Sequence, residues 1–247
     1  MRTKKVPLSL ERPTEASLLA EARWLGNRVL QFNAHAGDLV AEAGEQLRAR
    51  VDAPELQARG YLVSDAHFER VKLLSSMLTP LGSRRSQLQV DRDHVLEQVE
   101  RARVRLLALR ARFAGIGAAV GHPPSIFSLG SRSTMRVNVV TLGMEEVISN
   151  IERLGDQMPD LATVSALLIE ARALVAGTRA LCLHSSALRL ELAANIKLTS
   201  QVSRLLYEAV MHLSAQGLAA FGDDLKRRAP YSLTHLQANR LNQRFEK

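Results

Sequence analysis

The stretch VSALLIEARALVAGTRALCLHSSALRLELAANIKLTSQVSRLLYEAVMHL, residues 164–213, decides the fold. Within it Val164, Leu167, Ala171, Leu174, Thr178, Leu181, Ser185, Leu188, Leu192, Asn195, Thr199, Val202, Leu206, Ala209 and Leu213 follow one another in alternating steps of three and four residues. That rhythm keeps one stripe of a helix turned toward neighbouring helices, and no proline interrupts it. The spacing predicts one long helix, capped by Asp160 and running to about Phe221. At about 1.5 Å per residue such a helix spans roughly 90 Å.

A second set, Leu168, Val175, Cys182 and Ile196, lies one residue beyond the leucine row. The apolar face is therefore wider than a two-stranded coiled coil requires and fits a helix packed against at least two others. Thr178, Ser185, Asn195 and Thr199 are small or polar interruptions of the row, and a buried asparagine in such a seam fixes register and oligomeric state at a cost in stability. Leu181, Leu188, Leu192, Asn195, Val202 and Leu206 form the candidate core of an assembly seam. The expected partners are a second copy, as a homodimer, another protein, or both.

Working toward the N-terminus, residues 1–13 read as a flexible basic arm with Arg2, Lys4 and Lys5. Thr14 caps a helix striped by Leu18, Ala22, Leu25, Val29, Phe32, Ala36, Leu39 and Ala43. Ser64 opens another with Phe68, Val71, Leu74 and Leu78, which meets Pro80 and Gly82. The pattern resumes as Val95, Val99, Ala102, Leu106, Leu109, Phe113, Ile116 and Val120. Its register carries across the proline if Arg85 and Arg92 occupy seam positions, so a kinked continuous helix is expected, with a sharp turn as the alternative.

The diproline segment Gly121–Ser131 reads as a loop, and a subdomain break is placed at 121–134. A helix follows with Val137, Val140, Met144, Val147, Ile151 and Leu154, although the β-branched start Arg136–Thr141 would also suit an extended strand. After Gly222 and Pro230, Ser232 caps a short terminal helix within 222–247, carrying Leu233, Leu236, Leu241 and Phe245. The fold class is all-α: an elongated bundle of long, partly kinked helices with coiled-coil-like packing over 14–221.

Composition agrees. Hydrophobic residues make up 46% and charged residues 23%, which suits a packed protein, while 4% aromatics is sparse for a sandwich or barrel. The lone Cys182 cannot form an intramolecular disulfide. No apolar signal region follows the basic N-terminus, and the apolar run Phe113–Val120 falls short of the ~20 residues a spanning helix needs. A cytoplasmic location follows, peripheral to a membrane if the basic surface meets lipid.

The residues that carry chemistry are scattered. Phosphate-loop, dinucleotide, zinc-protease and nucleophile-elbow patterns do not occur. Glu208 and His212 stand one turn apart, and Asp65 with His67, and Asp91 and Asp93 with His94, read as groups at helix starts. No catalytic residue, metal or cofactor is assigned, so the chain reads as a non-enzymatic scaffold.

The formal charge of +8 favours an anionic partner. Arg101, Arg103, Arg105, Arg110 and Arg112 are the candidate anion-binding row, against pairing with Glu97 and Glu100 as the structural alternative. Lys226, Arg227 and Arg228 form another basic group. Two rival functions follow: a basic membrane-surface protein, resembling BAR-type dimers in general architecture, and a nucleic-acid binder using the arginine row.

Overall fold

The computed structural model of the protein describes residues 13–24, 56, 65–128, 136–158 and 160–232. All the secondary structure in these residues is helical: α1 (Glu15–Trp24), α2 (Asp65–Ala119), α3 (Val137–Leu154), α4 (Leu161–Ala220) and the single-turn α5 (Leu225–Arg228). Short 3₁₀ turns at Pro124–Phe127 and Gly155–Gln157 lie between helices, and a third, Ala229–Tyr231, follows α5. The expected basic arm, the stripe from Leu25 to Ala43 and the terminal helix beyond Ser232 lie outside the described residues.

Local sequence sets the helix ends. The Thr14 hydroxyl accepts from the Ser17 amide at 3.2 Å, and the Ser17 hydroxyl accepts from the Thr14 amide at 3.0 Å, a reciprocal cap for α1. Before α4, the Asp160 carboxylate accepts from the Thr163 amide at 3.3 Å and the Thr163 hydroxyl at 2.5 Å. These bonds hold the Asp160 carboxyl below its ordinary range. Gly155, with φ near +49°, ends α3. The β-branched start Val137–Thr141 is helical rather than extended, because Val140, Thr141 and Met144 share the buried face of an amphipathic α3.

The long second helix settles the Pro80 question. α2 runs through Pro80 as one helix of 55 residues, so the continuous reading holds and the sharp turn does not. A proline removes the hydrogen bond to the carbonyl four residues back. That carbonyl belongs to Ser76, and both residues face solvent, so the carbonyl is not left buried without a donor. The stripe keeps its register across the break: Val71, Leu74, Leu78, Leu88 and Val95 are buried, and Arg85 and Arg92 are half-buried on the same row. Asp91, Asp93 and His94 consequently lie inside α2, not at a helix start, which corrects their reading as capping groups.

Two compact units are formed, one from residues 1–86 and 192–247, the other from 87–191. The first has a core of Leu18 and Ala22 from α1, Leu56, Val71 to Leu78 from α2, Val202 to Leu213 from α4, and Phe221 with Tyr231. Arg70 and Glu21, 2.6 Å apart, tie α1 to α2 beside it. The second packs Leu106, Leu109 and Phe113 of α2 and Val140 to Ile151 of α3 against Val164, Leu167, Ala171 and Val175 of α4. The divisions at 86/87 and 191/192 fall inside the long helices, and the sequence signals none there.

Each unit contains an aromatic ring seated on a helix glycine. Phe127, from the turn after α2, lies against Gly117, and a methyl group at Gly117 would overlap its ring. Tyr231, after α4, lies against Gly217 in the same way and stacks on Phe221 with centroids 5.6 Å apart. The Tyr231 carbonyl also accepts the buried Ser214 hydroxyl at 2.5 Å. Asn150 of α3 donates to the Ile126 carbonyl at 3.1 Å, fixing the turn that carries Phe127.

Gly115, two residues before Gly117, has no neighbour among the described residues that an added methyl would meet. Gly117→Ala is therefore expected to destabilise the protein by about 1–3 kcal/mol through overpacking, and Gly115→Ala to stabilise it by about 0.5–1 kcal/mol through helix propensity, both read from denaturant midpoints. The lowered carboxyl of Asp160 also sets a pH dependence. Its cap supports folding above the ordinary aspartate range and loses that contribution as pH falls through the lowered value. The melting-temperature gap between wild type and Asp160→Ala should be full at neutral pH and close in strong acid.

Candidate interaction surfaces of the long helix

The row of α4 that the sequence singles out faces inward. Val164, Leu167, Ala171, Thr178, Leu188, Leu192, Thr199, Val202, Leu206, Ala209 and Leu213 are buried, with Leu174, Leu181 and Ser185 half-buried between them. Of the candidate assembly residues, Leu188, Leu192, Asn195, Val202 and Leu206 are covered by this chain itself. Val202 and Leu206 lie in the core of the first unit. The Thr178 and Thr199 hydroxyls donate back to the Leu174 and Asn195 carbonyls, at 2.7 and 2.9 Å, which lets polar residues sit inside an apolar row. Asn195 is 9% exposed, and its side-chain oxygen is buried with no hydrogen-bond partner among the described residues. Cys182 is half-buried, and burial pushes its thiol up, away from nucleophilic character.

The opposite face of α4 carries a second row that the sequence reading passes over. Ala162, Ala166, Ile169, Ala173, Ala176, Ala180, Leu183, Ala187 and Leu190 repeat the same three- and four-residue steps, and every one is exposed. Ile169, Leu183 and Leu190 stand 69%, 73% and 70% open to solvent. Alanines concealed this row, because they add little apolar weight; its signal was the unbroken spacing itself.

Charges beside this exposed row are paired within the second unit. Arg172 is bonded to Glu152, and Arg179 lies 2.5 Å from Glu145, across a shallow cleft of about 340 Å³ between α3 and α4. On the other flank Glu170 faces Arg105 at 3.9 Å and Arg112 at 3.7 Å.

The arginine row of α2 is thus partly committed to the protein's own acids. Arg101 meets Glu97 at 2.6 Å and Arg103 meets Glu100 at 2.5 Å, the two partners the spacing suggested. The bond from Arg103 holds the Glu100 carboxyl below its usual range. Glu170 comes from α4 and is invisible to any reading of α2 alone. Arg110 is half-buried, and its Nε has no hydrogen-bond partner among the described residues. In the other basic group, Arg227 lies over the Phe221 ring at 5.9 Å and 3.8 Å from Asp224.

Other candidates are dispersed. Glu208 pairs with Arg204 at 2.7 Å, while His212 stacks on His67 with ring centroids 5.1 Å apart. Among the described residues no group of three or more His, Cys, Asp or Glu side chains is placed to hold a metal ion. α4 also contains an 18-residue window with a mean hydropathy of 1.5, only 28% buried, which meets the length and composition of a membrane-crossing helix. That window is longer than the Phe113–Val120 run of α2. No protein-family model, curated protein or solved structure matches the chain.

The unpaired oxygen of Asn195 makes a stability prediction. A buried polar atom without a partner costs about 1–3 kcal/mol. Asn195→Leu should raise the unfolding free energy by about 1–2 kcal/mol, measured by chemical denaturation.

Proposed function

We propose that this chain is a non-enzymatic helical-bundle protein whose long α4 helix acts as an oligomerisation and protein-interaction scaffold. One observation carries the reading: α4 has two apolar rows on opposite faces, one buried in the chain and one exposed. A helix needs only the first to fold. An exposed apolar row of sustained heptad spacing suits a second helix laid alongside it.

The reading is tested by affinity capture with the full chain as bait, with nuclease present and at moderate salt. A stoichiometric protein should be retained by the wild type and lost by the double variant Ala180→Glu/Leu183→Glu, while circular dichroism stays unchanged. Retention by both baits would reject α4 as the docking element.

A second reading, a membrane-surface protein of basic charge, draws on the apolar, largely unburied window in α4 together with the net charge of +8. It expects co-sedimentation with anionic vesicles that weakens as ionic strength rises. Absence of sedimentation at low salt would remove it. Either reading suits a cytoplasmic location, the second at a bilayer surface.

A further inference from the structure

Resting on the scaffold reading, we propose that the partner on the exposed face of α4 is a second copy of this chain, laid antiparallel about a two-fold axis between Ala176 and Ala180. Side-chain size along the row sets the register. From Ala166 to Leu190 the row alternates alanine with positions that are mostly large. A parallel copy would set Ala on Ala and Leu on Leu, so layers would alternate between gaps and crowding. In the antiparallel register Ala173 faces Leu183 of the partner subunit, Ala166 faces Leu190 of the partner subunit, and Ala187 faces Ile169 of the partner subunit. Only at the axis does small meet small, where Ala176 faces Ala180 of the partner subunit. Each large side chain thus meets an alanine, and helix spacing is set by the side chains at the contact. The two-fold repeats every contact, so three exposed large residues become six covered ones.

Charge agrees with this register. It brings Glu170, which its own Arg105 and Arg112 approach no closer than 3.9 and 3.7 Å, opposite His184 of the partner subunit, an acid against an imidazole. The two Arg179 side chains come near the axis, but each is already held by its own Glu145. A lipid surface would instead require uncommitted cations beside the apolar row. Here the flanking Arg172 and Arg179 are bonded to acids, and the other flank carries Glu170.

A separate observation concerns Gly177. Glycine weakens a helix interior, and among the described residues no atom comes near enough to exclude a methyl group there. No contact among the described residues explains it. In the proposed dimer Gly177 borders the axis, where a second backbone approaches most closely.

The test is sedimentation velocity of the full chain across a wide concentration range. The wild type should show a reversible monomer–dimer equilibrium, and Leu183→Glu should raise its dissociation constant by about a hundredfold with helicity retained. Orientation is read in a Cys182→Ser background using a short bifunctional thiol reagent. Glu170→Cys mixed with His184→Cys should cross-link, and neither should cross-link alone. A monomer at every concentration, a dimer indifferent to Leu183→Glu, or cross-linking of each single variant with itself would overturn the proposal. If the wild type is monomeric but Ala180→Glu/Leu183→Glu still abolishes capture of another protein, the docking reading survives and the identical partner does not. If neither the oligomeric state nor capture responds, both fail.

Discussion

The fold depends on burying one continuous row of α4. That row supplies the second unit's core through Val164, Leu167 and Ala171, with Val175 beside it, and the first unit's through Val202, Leu206 and Leu213. Helix propensity would not hold a chain of sixty residues in one helix; tertiary burial of an apolar stripe does most of that. The polar members of the row are accommodated without leaving it. Thr178 and Thr199 turn their hydroxyls onto carbonyls one turn back, so each is buried with its hydroxyl satisfied.

The electrostatics follow from that packing. Once α4 lies against α2 and α3 in the second unit, Glu170 comes between Arg105 and Arg112, while Glu145 and Glu152 reach Arg179 and Arg172. Most of these groups are well exposed, so each pair contributes little to stability. Their effect is on the surface: arginines that look like an anion-binding row in the linear sequence become partly neutral strips beside an apolar face. The overall charge remains +8, but its distribution is decided by which helices meet.

Much of this is legible in the sequence. The three- and four-residue steps marked the inner row of α4, Asp160 and Thr14 marked helix starts, and the register from Val71 to Val95 crossed Pro80. Periodicity reports which side of a helix is apolar, and here the core required that side. It was silent on three other matters. Division into units at 86/87 and 191/192 depends on which segments of a helix find neighbours. Cross-helix ion pairs such as Arg112 with Glu170 depend on the packed arrangement. An alanine row looks like background until burial shows that one apolar face is covered and the other is not.

The two rings seated on glycines bear on how the chain finds this arrangement. Phe127 meets Gly117, and Tyr231 meets Gly217, across only ten and fourteen positions of sequence. Closing loops that short sacrifices little chain entropy, whereas bringing α2 against α4 requires contacts between residues far apart in sequence. The end of each long helix can therefore be latched by local contacts before the distant helices associate. Contacts of short range mark where each helix must stop, and the slower search is left to the apolar rows.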